Sequence, residues 1–99
     1  MMKVLSTATA GLHAATRRLD TSAHNIANVN TPGFHSHEVK ATARAEGGVD
    51  TRTERAPREG VSLEQEIVDQ IAAAAGFKAN AKVIGVVERT LGRWLDERA

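Results

Sequence analysis

The chain has 99 residues, no cysteine and a formal net charge of +1. This length predicts one domain, residues 1–99, near the small end of what buries a sizeable core. The lack of cysteine excludes disulfides and thiol chemistry, and the near-zero charge argues against a nucleic-acid partner. The chain has only three aromatic residues, and much of its apolar content is alanine, which buries little area. This composition favours oligomerisation.

The first predicted element is a helix over residues 3–30, within an N-terminal segment of residues 1–30. Its apolar and small residues recur in alternating steps of three and four, which is the heptad pattern of a coiled coil. The seam consists of Leu5, Ala8, Leu12, Ala15, Leu19, Ser22, Ile26 and Val29. A helix with so narrow an apolar stripe needs a partner.

A forced change of direction follows the first helix. Pro32 has no N–H to donate and pushes Thr31 out of the α region, so the helix must end before it. Pro-Gly suits the two central positions of a type II turn, where Gly33 takes a positive φ. Phe34 follows the turn, and we expect it to dock on one end of the helical pair.

Residues 31–60 are predicted to be a turn and an extended or hairpin linker. Two runs with a period of two flank Gly47-Gly48, which predicts a β-hairpin. The apolar side is thin, so disorder is the alternative. His35 and His37 would share one face of a strand, but no third ligand stands at useful spacing. We therefore predict no metal and no cofactor; a metal-binding helical module that uses the two histidines stays open as an alternative.

The second helix is predicted over about residues 62–97, within a C-terminal segment of residues 61–99. Ser62 is a good N-cap, and Gln65 completes the capping-box pattern S-x-x-Q. Gly76 in mid-helix costs about 1 kcal/mol relative to alanine, so it marks either a close helix approach or relaxed constraint. The apolar face of this helix is wider than one partner helix can cover, and such faces usually mark interfaces. An ordinary helical hairpin with an alanine-rich surface is the alternative.

The predicted fold class is therefore mainly α. Two long antiparallel helices form a coiled-coil-like hairpin, with a short extended or β-hairpin segment between them. There is no tyrosine, phosphate-binding glycine loop, nucleophile elbow or apolar carboxylate pair, so we predict that the protein is not an enzyme. No run of about 18 apolar residues is present, which predicts no membrane insertion. Thr7, Thr9 and His13 interrupt the N-terminal small-residue stretch, so we predict no cleaved signal peptide.

Two stretches of the chain resemble the terminal signatures of the flagellar axial proteins, the basal-body rod and hook family. The N-terminal one is Leu19-Asp20 followed by Ala23-His24-Asn25-Ile26-Ala27-Asn28-Val29-Asn30-Thr31-Pro32-Gly33-Phe34. The C-terminal one comprises Glu66-Ile67-Val68, Gly76-Phe77-Lys78-Ala79-Asn80-Ala81-Lys82-Val83-Ile84, Leu91-Gly92 and Leu95-Asp96. The signature residues are Asn25, Asn28, Asn30, Thr31, Pro32, Gly33, Phe34 and Asn80.

The resemblance implies a structural subunit of the bacterial flagellar basal-body rod. Such a subunit self-assembles or co-assembles with other rod and hook proteins through coiled-coil terminal helices. It lies in the periplasmic rod and is exported by the flagellar export apparatus without a cleaved signal. Family members usually carry a longer insert, whereas at most one hairpin fits here. A soluble helical adaptor that binds axial proteins or the export machinery is the alternative function.

The expected assembly interface follows the apolar seams of both helices. Its residues are Leu5, Leu12, Leu19, Ile26, Val29, Ile67, Ile71, Phe77, Ala81, Ile84, Leu91 and Leu95. We expect Asn25, Asn28 and Asn30 to satisfy backbone groups at the turn, or groups on an adjacent subunit. The simpler alternative is that the three asparagines only cap the helix.

Overall fold

The computed structural model describes residues 2–98, and the side chains of residues 2–96. The chain forms helix α1 (Met2–Ala27), strand β1 (His37–Ala43), strand β2 (Val49–Arg55) and helix α2 (Leu63–Arg98). The prediction of two long helices joined by a short β-hairpin is therefore confirmed.

Helix α1 ends at Ala27, earlier than the predicted residue 30. The Asn28 N–H is shared between the carbonyls of His24 and Asn25, at 3.2 and 3.1 Å. The Asn28 side chain also donates to the His24 carbonyl at 2.9 Å. The bond to Asn25 is of the tighter i→i−3 type found at helix ends, and the side chain gives the His24 carbonyl a second donor, so the helix closes at Asn28 before it reaches Pro32.

The turn at Pro32-Gly33 has the predicted form. The Phe34 N–H donates to the Thr31 carbonyl at 3.2 Å, and Gly33 has a φ of 74°. This bond and the positive φ at the third position define a type II turn. The chain leaves α1 here and runs into β1.

The hairpin forms, so the alternative of disorder is wrong. Its strands pair antiparallel from His37 opposite Arg55 to Ala43 opposite Val49. The Arg44 N–H donates to the Gly48 carbonyl at 3.0 Å, and Gly48 has a φ of 84°. A positive φ is easy only for glycine, which is why the Gly-Gly pair marks the loop.

The hairpin lies along α1, which explains how so thin a two-stranded sheet is stable. A Cβ atom on Gly47 would lie 2.9 Å from the hydroxyl of Thr7. Further along, Arg17 Nη1 lies 3.5 Å from the Thr53 hydroxyl. A lone hairpin is marginal in water, and this one is stabilised by packing against helix α1.

Charged side chains decorate the exposed hairpin surface. Arg52 Nε donates to Glu54 Oε1 at 2.7 Å. This hydrogen bond and the positive charge of Arg52 hold the pKa of the Glu54 carboxyl below its ordinary value, with Lys40 adding to the effect. The pair is solvated, so it keeps the surface polar and contributes little to folding.

Helix α2 begins at Leu63 with Ser62 as its N-cap. The Ser62 hydroxyl accepts the Gln65 N–H at 3.3 Å, as predicted. The Gln65 side chain does not return to Ser62; it donates to Asp69 Oδ1 at 2.8 Å. The cap is therefore formed, but the reciprocal half of the capping box is not.

The two helices are antiparallel, as predicted. Asn25 is hydrogen-bonded to Glu66, and Gly11 lies beside Asn80. This register places Met2 level with Arg89. Residues 90–98 of α2, which we call the tail, extend about 14 Å past Met2 at 1.5 Å per residue. The molecule is 63 Å long and 14 Å across its thinnest direction.

Candidate assembly site

The buried side chains of this chain are small or polar. Among the described residues they are Ala8, Ala14, Ala15, Ser22, Asn25, Ala56, Glu66, Ala73 and Val87. No leucine, isoleucine, phenylalanine or tryptophan is in this set. Small side chains release little apolar area from water, so the contact between the helices gains modest hydrophobic stabilisation.

The predicted interface residues lie at the rim of this contact or outside it. Six are half-buried: Leu5, Leu12, Leu19, Ile26, Val29 and Ile84. Six are exposed: Ile67, Ile71, Phe77, Ala81, Leu91 and Leu95. The chain's own fold therefore leaves these side chains wholly or partly available to a second molecule.

Two exposed apolar surfaces stand out on α2. The first, which we call the outer face, consists of Ile67, Val68 and Ile71, with exposed fractions of 53, 57 and 67%. The second is the tail, where Leu91 and Leu95 are 42 and 70% exposed. Contiguous apolar surface of this kind marks interaction sites in soluble proteins.

The signature residue Asn25 joins three elements at the end of α1. It is 1% exposed, and its side-chain amide pairs with the backbone of His37 in β1. Asn25 Oδ1 accepts the His37 N–H at 2.8 Å, and Nδ2 donates to the His37 carbonyl at 2.9 Å. Nδ2 also donates to the two carboxylate oxygens of Glu66, at 2.9 and 3.1 Å. Asparagine is one of the few side chains with both a donor and an acceptor to do this.

Glu66 completes this junction from α2. Its side chain is buried, and its backbone carbonyl accepts the Ser22 hydroxyl at 3.1 Å. Salt bridges in the described part of the chain do not involve Glu66. The sequence placed Glu66 in the C-terminal signature but did not predict that its side chain is buried, so its burial is a finding of the structure.

Three aromatic rings close the end of α1. The Phe34 ring lies 5.6 Å from His24 and 5.8 Å from His37, and the two imidazoles are 5.3 Å apart. Phe34 thus packs at the end of α1, where the sequence predicted a docking position. His35 points elsewhere, because its Nδ1 donates to the Ala56 carbonyl at 2.8 Å.

The remaining signature asparagines have local roles. Asn28 ends α1, and its Oδ1 accepts the Thr31 hydroxyl at 3.2 Å. Asn80 donates to the Gly76 carbonyl at 2.8 Å, while Asn30 is exposed. The helix-capping alternative therefore describes Asn28, whereas Asn25 reaches across to β1 and α2.

The close approach of the two helices is at Gly11 and not at Gly76. A Cβ atom on Gly11 would lie 2.6 Å from the side chain of Asn80, whereas one on Gly76 would meet nothing within 4 Å. Sequence reasoning missed Gly11 and the burial of Glu66. A signal was present, because Glu66, Ala73, Asn80 and Val87 recur every seven residues and follow the face turned toward α1.

A groove runs between the hairpin and α2, with α1 as its floor. Its volume is about 670 Å³. The apolar lining is almost entirely small: Gly11, Ala14, Ala15, Ala72, Ala73 and Gly76. Glu66 and Asp69 line the α2 side, and Glu38 lines the β1 side. The groove is therefore shaped for bulky side chains, and its carboxylates favour a cation.

The described residues contain neither a candidate metal-binding group nor a helix that could cross a membrane. No three histidine, aspartate or glutamate side chains there form a metal-binding group. Within residues 2–98, neither helix combines the length and apolarity that a membrane crossing requires. The fold thus defines a small, mainly helical protein with exposed apolar surfaces on α2.

Comparison with known protein families gives a match for the N-terminal third of the chain. Residues 5–35 match the family described as flagella basal body rod protein. The matched segment covers α1, the type II turn and the start of the extended linker. Residues 5–35 are therefore similar to the flagellar basal-body rod proteins, a family of structural components. The match indicates the flagellar basal body as the location of the chain, where it associates with other rod components.

The match confirms the N-terminal half of the resemblance seen in the sequence. The resemblance of residues 66–96 to the family's C-terminal signature stays a prediction. No curated protein matches the chain.

Proposed function

We propose that the chain is a structural subunit of the flagellar rod that assembles through both helices. Its partners are copies of itself or other rod and hook proteins. It reaches the flagellar axis through the export apparatus, without a cleaved signal.

The outer face of α2 carries this proposal. Its three large apolar side chains are more than half exposed, while the same helix buries Glu66 and Ala73 against α1. An arrangement with large apolar groups outside and small groups inside is unfavourable for an isolated chain. Neighbouring helices that cover the outer face recover the hydrophobic stabilisation that the single chain lacks.

The test is the Ile71→Asp variant in cells that depend on this protein for motility. A carboxylate in a covered apolar interface is costly, so the variant should fail to enter the rod and the cells should not swim. Ile71 is 67% exposed, so the fold of the single chain should be preserved. Leu12→Asp and Ile26→Asp should also block assembly, but these positions are half-buried within the chain and the fold is at risk.

Thr16→Asp is the matched control, because it places the same charge at an exposed position of α1. This variant should assemble and support swimming. Normal rods and swimming in cells that lack the protein would refute the rod-subunit function. A small complex of fixed stoichiometry with axial proteins, and no incorporation into the rod, would establish the adaptor function instead.

A further inference from the structure

The outer face of α2 continues into small and charged side chains on the same side of the helix. At about 100° per residue, seven positions fall within an arc of about 120°. They are Glu64, Ile67, Val68, Ile71, Ala74, Ala75 and Lys78. All of them are exposed except Ala74, which is half-buried. These seven residues, which we call the α2 strip, form one surface about 21 Å long.

The α2 strip is uncovered within the described part of the chain. The hairpin packs against α1, and α2 contacts α1 through its other side, where Glu66 and Ala73 are buried. Salt bridges among the described residues do not involve Glu64 or Lys78. The strip therefore presents large apolar side chains between a carboxylate at one end and an ammonium group at the other.

The side chains of the α2 strip are arranged symmetrically about Ile71. Glu64 and Lys78 lie seven residues to either side of it and carry opposite charges. Two large apolar side chains precede Ile71, and two alanines follow it at the equivalent distances along the helix. Each half of the strip is thus the complement of the other half, both in size and in charge.

We propose that the α2 strip binds the α2 strip of a second copy of this chain, antiparallel, across a two-fold axis at Ile71. In this arrangement Glu64 of each copy lies beside Lys78 of the other. The large side chains of each copy meet the alanines of the other, an alternation that favours close packing. A parallel pairing in register would instead place like charges beside each other, which is unfavourable.

This contact is isologous, because the same surface serves in both copies. A two-fold contact closes on itself and does not propagate, so it pairs free chains, and neighbours in the rod replace it. The inference therefore goes beyond the proposed function, because it concerns the free chain. One helix face about 21 Å long is smaller than a permanent dimer interface, so the dimer should be weak and should form as the concentration rises.

Cysteine cross-linking tests where the two copies meet. The chain has no native cysteine, so every disulfide comes from the introduced residues. Ile71→Cys places a thiol at the two-fold axis, where it meets its own counterpart within reach of a disulfide. Thr16→Cys, on the exposed surface of α1, is the control. After oxidation of a mixture of the two variants, the Ile71→Cys homodimer should exceed every product that contains Thr16→Cys by at least about tenfold.

Charge reversal tests the direction of the pairing, by sedimentation velocity across a concentration series at low salt. Glu64→Lys and Lys78→Glu should each weaken dimerisation at least about fivefold, because each turns both ion pairs of the dimer into like-charge pairs. A mixture of the two variants should restore dimerisation, since each supplies the charge that the other lacks. The double variant should dimerise like the parent. Glu88→Lys makes the same change on another exposed face of α2 and should also dimerise like the parent.

Three results would overturn the inference. They are a chain that stays monomeric at every concentration, disulfides between Ile71→Cys and Thr16→Cys that outnumber the Ile71→Cys homodimer, and charge variants whose dimerisation does not recover on mixing. If Ile71→Asp blocks entry into the rod while the free chain forms no dimer, the two-fold contact is refuted and the proposed function stands. Normal rods in cells that lack the protein would refute the proposed function alone.

Discussion

The inner contact between the helices and the outer face of α2 have opposite chemistry. The inner contact is built from alanines, Ser22, Asn25 and Glu66, whereas the outer face presents Ile67, Val68 and Ile71. A self-sufficient globular domain places its large apolar side chains in inner contacts and its polar side chains on outer faces.

This difference shows which forces hold the single chain together. Small residues allow the helix axes to approach closely, and Asn25 links α1 to both β1 and α2 by hydrogen bonds. Hydrogen bonds and close approach therefore set the geometry of the pair, while the largest apolar groups contribute little within it. Four substitutions, each followed by urea unfolding at a concentration at which the chain is monomeric, test this comparison.

Asn25→Ala should have the largest effect. It removes the donor to the buried Glu66 carboxylate and both partners of the His37 backbone, so the free energy of unfolding should fall by about 2–4 kcal/mol. Asn30→Ala, at an exposed position of the following turn, should change it by less than about 0.5 kcal/mol. Similar midpoints for the two variants would mean that the buried network does not stabilise the inner contact.

Gly11→Ala should be the next most harmful. The new methyl group would lie 2.6 Å from the Asn80 side chain, so the helices must separate or Asn80 must move. Overpacking usually costs about 1–3 kcal/mol, and alanine regains about 0.5–1 kcal/mol through its higher helix propensity, so we expect a net loss of up to about 2 kcal/mol. Adding Asn80→Ala should restore most of the loss, and failure of this rescue would place the close approach elsewhere.

Gly76→Ala should act in the opposite direction. A Cβ atom there meets nothing within 4 Å, so alanine brings higher helix propensity without a clash. Stability should rise by about 0.5–1 kcal/mol, visible as a higher midpoint. A destabilised Gly76→Ala chain would show a helix contact at Gly76 that the structure does not contain.

Ile71→Ala should have the smallest effect on the single chain. Truncation of a buried isoleucine typically costs about 2–5 kcal/mol, but Ile71 is 67% exposed. We expect a change below about 0.5 kcal/mol in the monomer. A loss above about 2 kcal/mol would show that the outer face is covered within one chain, and the comparison would fail.

Local sequence patterns determined the elements of this protein and the start of α2, whereas α1 ends at Ala27, earlier than predicted. Heptad periodicity predicted α1, the Ser62 cap and the apolar face predicted α2, and the Pro-Gly and Gly-Gly pairs predicted the two turns. These features depend on backbone conformation within a few residues, which is why they can be predicted without tertiary contacts. The Asn-rich signature also predicted the family, and the match over residues 5–35 confirmed it.

Only the tertiary structure decided which side of each seam faces inward. Leucines and small residues alternate along the heptad seam of α1, and burying either set is compatible with the same period. The small residues face inward because Gly11 lets α1 approach Asn80, and because the Asn25 side chain donates hydrogen bonds to His37 and Glu66. Those partners lie 12 and 41 positions away in the chain. Hydrogen bonds over such separations have no local pattern, so the burial of Glu66 and the exposure of Ile71 appear only once the helices are brought together.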